Sequence, residues 1–211
     1  MAIINSHIDF EIDEDFQVRH KELLKFFSDK NMDVEITNTD EVKSIILSLP
    51  QEDYPYKWDE TFENAPMDES FGLLLKVDGE VVSTYAAINM SLPDFVAGMK
   101  TVHTGTFEDV SLPQGSASYS SCQWVSKDHR GKKLGMCLDH LKKNLIFDVV
   151  KRDVNYSIHK KPFVNYHING LHYDESKLLA TIPKGDKIYY VAYVTAQSWS
   201  DKLDDVRKLY S

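Results

Sequence analysis

The basic segment of residues 127–133 is the part of the sequence whose residue types are best suited to binding a ligand. It carries four cationic side chains and a single acid, Asp128. The four cations are Lys127, Arg130, Lys132 and Lys133. The segment lies where a predicted strand gives way to a predicted helix, whose N-terminus presents unpaired N–H groups and the positive end of a dipole. Because Gly131 and Gly135 also let an anion approach the backbone, a phosphate or diphosphate site is predicted. The alternative is a solvated basic helix start.

Other phosphate-binding patterns are absent from the sequence: it has no GxxxxGK[ST] loop and no GxGxxG after an early strand. Residues 125–135, VSKDHRGKKLG, instead resemble the diphosphate-binding motif of the GNAT N-acetyltransferase superfamily, V-x-P-x-x-R-G-x-G-x-G. Lys127 replaces the proline of that motif, and Lys133 replaces its middle glycine. The matching residues are Val125, Arg130, Gly131, Leu134 and Gly135.

The resemblance implies an α/β fold with a central, mostly antiparallel sheet flanked by helices. It also implies an N-acetyltransferase that uses acetyl-CoA as co-substrate, whose acceptor amine attacks the thioester directly. The acceptor would be an amine-bearing small molecule or a lysine or N-terminal amine of a protein. The end of the strand, at Trp124 and Val125, would pair with the pantetheine arm. The CoA diphosphate would be held by Arg130, Gly131, Lys132, Lys133, Leu134 and Gly135.

A second, weaker match lies at residues 166–171, YHINGL, which have the spacing of the family's Y-x-x-x-G-F segment. The family tyrosine often serves as general acid toward the CoA sulfur, and the resemblance gives this role to Tyr166. A phenol with a pKa near 10 is protonated at neutral pH and can protonate a nascent thiolate. The alternative is a core tyrosine bonded to the backbone. The family's asparagine, seven residues before the tyrosine, is His159 here.

The general base is not evident from the sequence. Many family members carry a glutamate six residues before the strand-end valine, and that position is Tyr119 here. Our candidate for the base is Glu108, and the alternatives are Asp109, His103, His159 or an ordered water. The eight histidines are scattered without the spacing of metal ligands, so no metal site is expected.

Residues 51–70 occupy the place that lines the acceptor site in the resembled fold. This segment interleaves carboxylates with Tyr54, Tyr56 and Trp58. Carboxylates and aromatic faces both attract an ammonium group, so a cationic amine acceptor is one hypothesis. The alternative is an acidic, solvated loop whose aromatic side chains pack into the core.

Composition narrows the class of protein. The chain has 211 residues, which suits one domain, and its net charge is -9. An acidic chain repels phosphate backbones, so nucleic acid is an unlikely partner. The two cysteines give no disulfide framework and no zinc spacing, and no apolar run approaches the roughly 18 residues of a membrane span. No membrane partner is therefore expected, and a reduced, cytoplasmic, soluble protein is the expectation.

Hydrophobic periodicity predicts the elements that position these residues. A long helix is predicted to follow the basic loop, with Lys142 and Lys143 outside its apolar stripe. A turn is predicted over residues 92–98, followed by a strand over 99–107. The other predicted elements are helices over 16–27, 42–49, 163–168 and 199–210 and strands over 33–36, 71–77, 80–90, 116–125, 153–158 and 188–195. The crossover helix implies one parallel strand pair.

The predicted organisation is an N-terminal helical extension over residues 1–32, packed on a GNAT-like domain over residues 33–211. Two alternatives keep this architecture and change the function. One is a non-catalytic acyl-CoA-binding module, and the other is a long-chain acyltransferase related to N-myristoyltransferase. A nucleic-acid-modifying transferase is disfavoured by the charge.

Overall fold

The computed structural model describes the backbone of residues 4–6 and the whole of residues 11–50 and 69–210. The aromatic and acidic part of the predicted acceptor segment, residues 51–68, therefore lies outside the described residues. Within the described ranges, none of the helices combines the length and apolar character needed to cross a bilayer.

Helices and strands are interspersed along the chain. The helices are α1 Glu14–Arg19, α2 Lys21–Ser28, α3 Thr39–Ser48, α4 Leu92–Val102, α5 Leu134–Asn144 and α6 Ala196–Arg207. The strands are β1 Ile4–Ser6, β2 Met32–Thr37, β3 Phe71–Val77, β4 Glu80–Ile88, β5 Thr106–Phe107, β6 Ala117–Val125, β7 Val154–Lys160, β8 Glu175–Ile182 and β9 Lys187–Thr195. Two π-helical turns, Leu145–Val149 and Tyr166–Gly170, follow α5 and β7.

The strands of the described residues form one sheet in the order β1-β2-β3-β4-β6-β7-β9-β8-β5. Strands β1 and β2 pair in parallel, as do β6 and β7, and the other neighbours are antiparallel. Helix α5 connects β6 to β7, as a parallel pair requires. The predicted mixed, mostly antiparallel sheet flanked by helices is confirmed.

Both faces of the sheet are covered, and strand alternation divides the buried residues between them. On β3, Leu73 and Leu75 join the core beneath α2, α5 and α6, whereas Leu74 joins the core beneath α3. Side chains of α1 and α2, among them Phe16 and Phe27, lie in the same core as those of α5. The described part of the N-terminal extension thus shares its core with the rest of the chain.

The prediction for residues 92–107 is wrong for most of its length, because the turn and the first part of the strand are replaced by helix α4. The hydroxyl of Ser91 caps this helix by accepting from the Asp94 amide at 3.2 Å. Leu92, Phe95 and Met99 recur at helical spacing and are buried. The cap and this spacing decide in favour of a helix, and only Thr106–Phe107 remains a strand.

The prediction that Lys142 and Lys143 lie outside the buried stripe of α5 is also wrong. Both side chains are fully buried. Lys142 Nζ lies 2.7 Å from one carboxylate oxygen of Asp139, and Lys143 Nζ lies 2.6 Å from the other. Lys143 also donates to the carbonyl of Leu171 and lies over the ring of Tyr173. Helix α5 is covered by other elements on its outer side as well. Its buried polar side chains must therefore form ion pairs or hydrogen bonds within the protein.

This buried cluster makes stability depend on pH. Burial lowers the pKa of Lys143 to about 7, whereas an unfolded lysine keeps its ordinary value near 10.4. Between these values the unfolded chain binds more protons, so the free energy of unfolding should rise with pH, by about 1.4 kcal/mol per pH unit at most. Lys143→Met should flatten the rise between pH 7 and 9. Urea denaturation at a series of pH values measures the slope, and an unchanged slope in the variant would contradict the assignment.

Candidate functional site

Strands β6 and β7 separate at the centre of the sheet. Their parallel pairing runs from Ala117 opposite Val154 to Ser120 opposite Ser157 and goes no further. Beyond that point β6 stays paired with β4, through a bulge at Cys122, whose φ is 56°. The hydroxyl of Thr84 donates to the Cys122 carbonyl at 2.8 Å and holds the bulge. Because a bulge bends its strand, β6 turns away from β7 and opens a gap.

A cavity of about 780 Å³ occupies this gap. Its floor includes Ser120 and Ser157, the last paired residues of the two strands. The basic loop and the start of α5 line the cavity where β6 ends, whereas Phe95 and Met99 of α4 line it near Tyr119, close to the start of β6. The cavity thus joins a polar, cationic end to an apolar one.

The start of α5 is open toward this cavity. The carbonyl of Lys133 accepts the first helical hydrogen bond, from the Cys137 amide at 3.0 Å. Among the described residues, no side chain caps this helix. Leu134, Gly135 and Met136 line the cavity, and their amides precede that first bond. A helix end of this kind supplies N–H donors and a positive dipole to an anion.

The loop before α5 has a left-handed backbone at two positions where the family motif has glycine. Gly131 has a φ of 76°, and no atom of the described residues stands within 4 Å of where its Cβ would be. Lys133, which replaces the family's middle glycine, has a φ of 63° and is left-handed. This conformation costs a non-glycine residue roughly 1–2 kcal/mol. The substitution therefore keeps the glycine backbone shape and adds an exposed cation.

Most of the predicted cofactor residues line the cavity. Lys132, in contrast, is exposed and does not line it. The Nε of Arg130 donates to the carbonyl of Val125 at 3.0 Å, so this side chain also closes the turn between β6 and the loop. The residues that line the cavity are Trp124, Val125, Arg130, Gly131, Lys133, Leu134 and Gly135.

Tyr166 lines the same cavity. Its hydroxyl accepts from Gln123 Nε2 at 3.3 Å, and Gln123 also donates to the Gly135 carbonyl at 3.0 Å. A Cβ at Gly170 would lie 2.9 Å from the Tyr166 ring, so the glycine lets the ring pack against its own turn. Partial burial, with a contribution from the Asp139 charge, raises the pKa of Tyr166 to about 12, although the residue keeps 39% of its surface exposed. The phenol is protonated at neutral pH.

The structure places two of the candidate bases at the cavity and two away from it. Glu108 follows the edge strand β5, where its amide donates to the Leu179 carbonyl, and its side chain is exposed. Neither Glu108 nor Asp109 lines the cavity, whereas His103 and His159 do. Among the described residues that line it, none is a carboxylate.

A stacked pair of histidines was missed by the sequence analysis. The rings of His159 and His167 lie 3.9 Å apart at 13°, and both line the cavity. Burial lowers the pKa of His159 to about 3 and that of His167 to about 4, so both are neutral at pH 7. His167 adjoins Tyr166 in sequence, but its approach to β7 depends on a π-helical turn that periodicity does not reveal.

Comparison with known proteins establishes the fold. The structure is similar to a point mutant of SpeG, a spermidine N-acetyltransferase from Vibrio cholerae, with a TM-score of 0.54 and 10% identity over 81% of this chain and 97% of that chain. It is also similar to Arabidopsis thaliana NAA60 in complex with acetyl-CoA, with a TM-score of 0.52 and 11% identity over 78% of this chain and 99% of that chain. No family model and no curated protein sequence matches this chain.

Proposed function

We propose that this chain, which has the fold of the GNAT acetyltransferases, transfers an acetyl group from acetyl-CoA to a primary amine. The observation that carries the proposal is the uncapped N-terminus of α5 at one end of a cavity that enters the gap between β6 and β7. The names of the similar proteins support an amine acceptor, either a small molecule or an amine of a protein.

The CoA diphosphate would bind at the cationic end of the cavity. The amides of Leu134, Gly135 and Met136 supply hydrogen-bond donors, and Lys133 adds a positive charge at the same turn. A helix N-terminus preceded by a glycine loop is a recurrent anion site, because dipole and donors act together. The protein's net charge of -9 makes this local cationic feature necessary for an anionic ligand.

The pantetheine arm would lie along the edge of β6 that faces the gap. Beyond Ser120 this edge no longer pairs with β7, so an extended ligand can add to it as a strand would. Trp124 and Val125, which the resemblance would pair with the pantetheine arm, line the cavity. The thioester would then lie near Tyr166, whose phenol is available to protonate the departing sulfur.

A longer acyl donor is a second candidate, favoured by one observation. Phe95 and Met99 of α4 line the cavity near Tyr119, close to the start of β6, where an acyl chain could extend. Thermal shifts with acetyl-CoA and myristoyl-CoA separate the two donors, since the tighter ligand stabilises the fold more.

The decisive experiment combines binding and turnover. Calorimetry with CoA tests the cofactor, and release of free thiol from acetyl-CoA with a panel of amines tests transfer. Binding together with amine-dependent release supports the proposal. Binding without release identifies a non-catalytic module, and the absence of binding overturns the proposal.

Charge reversal at Lys133 tests the diphosphate site. Lys133→Glu should weaken CoA binding about 10-fold at low salt, because the exchange replaces attraction by repulsion. Lys133→Gly is the matched control, since it removes the charge and also suits the left-handed backbone. It should weaken binding less and raise the free energy of unfolding slightly. Equal affinities in all three proteins, measured by calorimetry, would place the diphosphate elsewhere.

A further inference from the structure

A serine and a histidine meet at the floor of the cavity. Ser157 is the last residue of β7 that pairs with β6, and its Oγ lies 3.3 Å from Nε2 of His167. Both side chains line the cavity, and both are at least nine-tenths buried. A serine hydroxyl therefore stands at the point where the two strands separate, with an imidazole directly behind it.

The hydrogen bonds fix which ring nitrogen of His167 is the acceptor. Its Nδ1 lies 3.0 Å from the carbonyl of Phe163, and a carbonyl can only accept, so Nδ1 carries the proton. In the neutral ring Nε2 then has a lone pair, to which the Ser157 hydroxyl donates. The ring is held in place by the stacked ring of His159, which in turn contacts the Ser176 hydroxyl at 3.2 Å.

We propose that Ser157 and His167 form the proton relay that deprotonates the acceptor amine. The inference rests on the proposed acetyl transfer. The amine nitrogen bonds to the thioester carbon, and its surplus proton passes to Ser157 Oγ as the serine proton passes to His167 Nε2. The C–S bond breaks, and the sulfur takes the proton of Tyr166. His167 then returns a proton to the phenolate through water, so that amine and thioester give amide and thiol.

The surroundings of His167 suit this task. Tyr166 and Tyr173 contact its ring, while Lys142 and Lys143 lower its pKa and Asp139 raises it. A neutral ring is thereby available throughout the physiological range. Its weak basicity suffices, because a nitrogen that has bonded to the carbonyl carbon is far more acidic than a free ammonium group. The relay also supplies the function of the carboxylate that the described lining lacks.

Paired variants with chemical rescue test the relay. His167→Ala and Ser157→Ala should each lower kcat for amine-dependent thiol release roughly 100-fold, the usual contribution of a general base, with an unchanged Kd for CoA. Added imidazole should restore part of the rate of His167→Ala, which a purely structural role would not allow. His167→Gln keeps most of the side-chain volume and should be equally slow, in case the alanine variant does not fold.

The control is His172→Asn, which changes a histidine with a φ of 59° outside the cavity to a residue that tolerates this conformation. It should keep the wild-type kcat. Folded variants of Ser157 and His167 that bind CoA normally and retain kcat within threefold would overturn the relay. So would a loss of rate that imidazole does not reverse. If the wild-type protein itself transfers nothing to any amine, the proposed function fails, and this inference fails with it.

Discussion

Asp139→Asn is expected to destabilise the fold by about 3–5 kcal/mol, the usual result of removing one partner from a buried ion pair. Asp139 is fully buried and is the counter-ion of both Lys142 and Lys143. The neighbouring ammonium groups outweigh burial and hold its pKa well below the usual range. Asparagine has the same shape, so the loss reflects the charge rather than a cavity. Urea denaturation at pH 7 measures it.

Two further variants show whether the cause is electrostatic. Lys143→Met added to Asp139→Asn should recover part of the loss, because it removes one of the two buried lysines that Asp139→Asn leaves without their carboxylate. Asp205→Asn, which breaks an exposed pair with Lys208 on α6, should leave the denaturation midpoint unchanged. The same midpoint for Asp139→Asn and the wild type would mean that the cluster does not stabilise the fold.

The pH dependence of this carboxylate has a definite sign. A depressed pKa in the folded state means that the stabilisation is present above the unfolded pKa, near 3.9, and is lost as the pH falls below it. The wild type should therefore lose stability at acid pH more steeply than Asp139→Asn.

Local signals predicted much of the fold because they act over a few residues. In the sequence, Asn38 and Glu41 have the spacing of a capping box, and Asn38 caps α3 by accepting from the Glu41 amide at 2.8 Å. The sequence Asp-Gly between two predicted strands is a hairpin signal, and Asp78 and Gly79, both with positive φ, join β3 to β4. The match at residues 125–135 likewise predicted a loop leading into a helix N-terminus.

Features that depend on distant residues could not be predicted in this way. In the sequence, Lys142 and Lys143 lie where the polar face of a helix is expected. They are buried because other elements cover α5 on both sides. His167 contacts Ser157 because the π-helical turn that carries His167 lies against β7, and the sequence pattern does not reveal this turn. Glu108 was selected for its chemistry, and its exposed place after β5 depends on pairing with β8.

Tyr166→Phe should lower kcat for thiol release by 100-fold or more while leaving the Kd of CoA unchanged. Phenylalanine keeps the ring that packs against Gly170 and removes only the hydroxyl that accepts from Gln123. General acid catalysis contributes typically 10²–10⁴-fold, and the thiolate would have to leave unprotonated in the variant. Steady-state kinetics with acetyl-CoA and an accepted amine measure the loss.

The pH profile gives a second, independent test of this role. A general acid must be protonated, and partial burial raises the pKa of Tyr166 to about 12, so its ionisation should cause no loss of wild-type activity up to about pH 10. Tyr193→Phe is the matched control, because that hydroxyl donates to Glu175 at 2.6 Å and lies outside the cavity. It should turn over like the wild type. If Tyr166→Phe also retained its kcat within threefold, the sulfur would have to receive its proton from another group, and Tyr166 would serve only to pack the turn after β7.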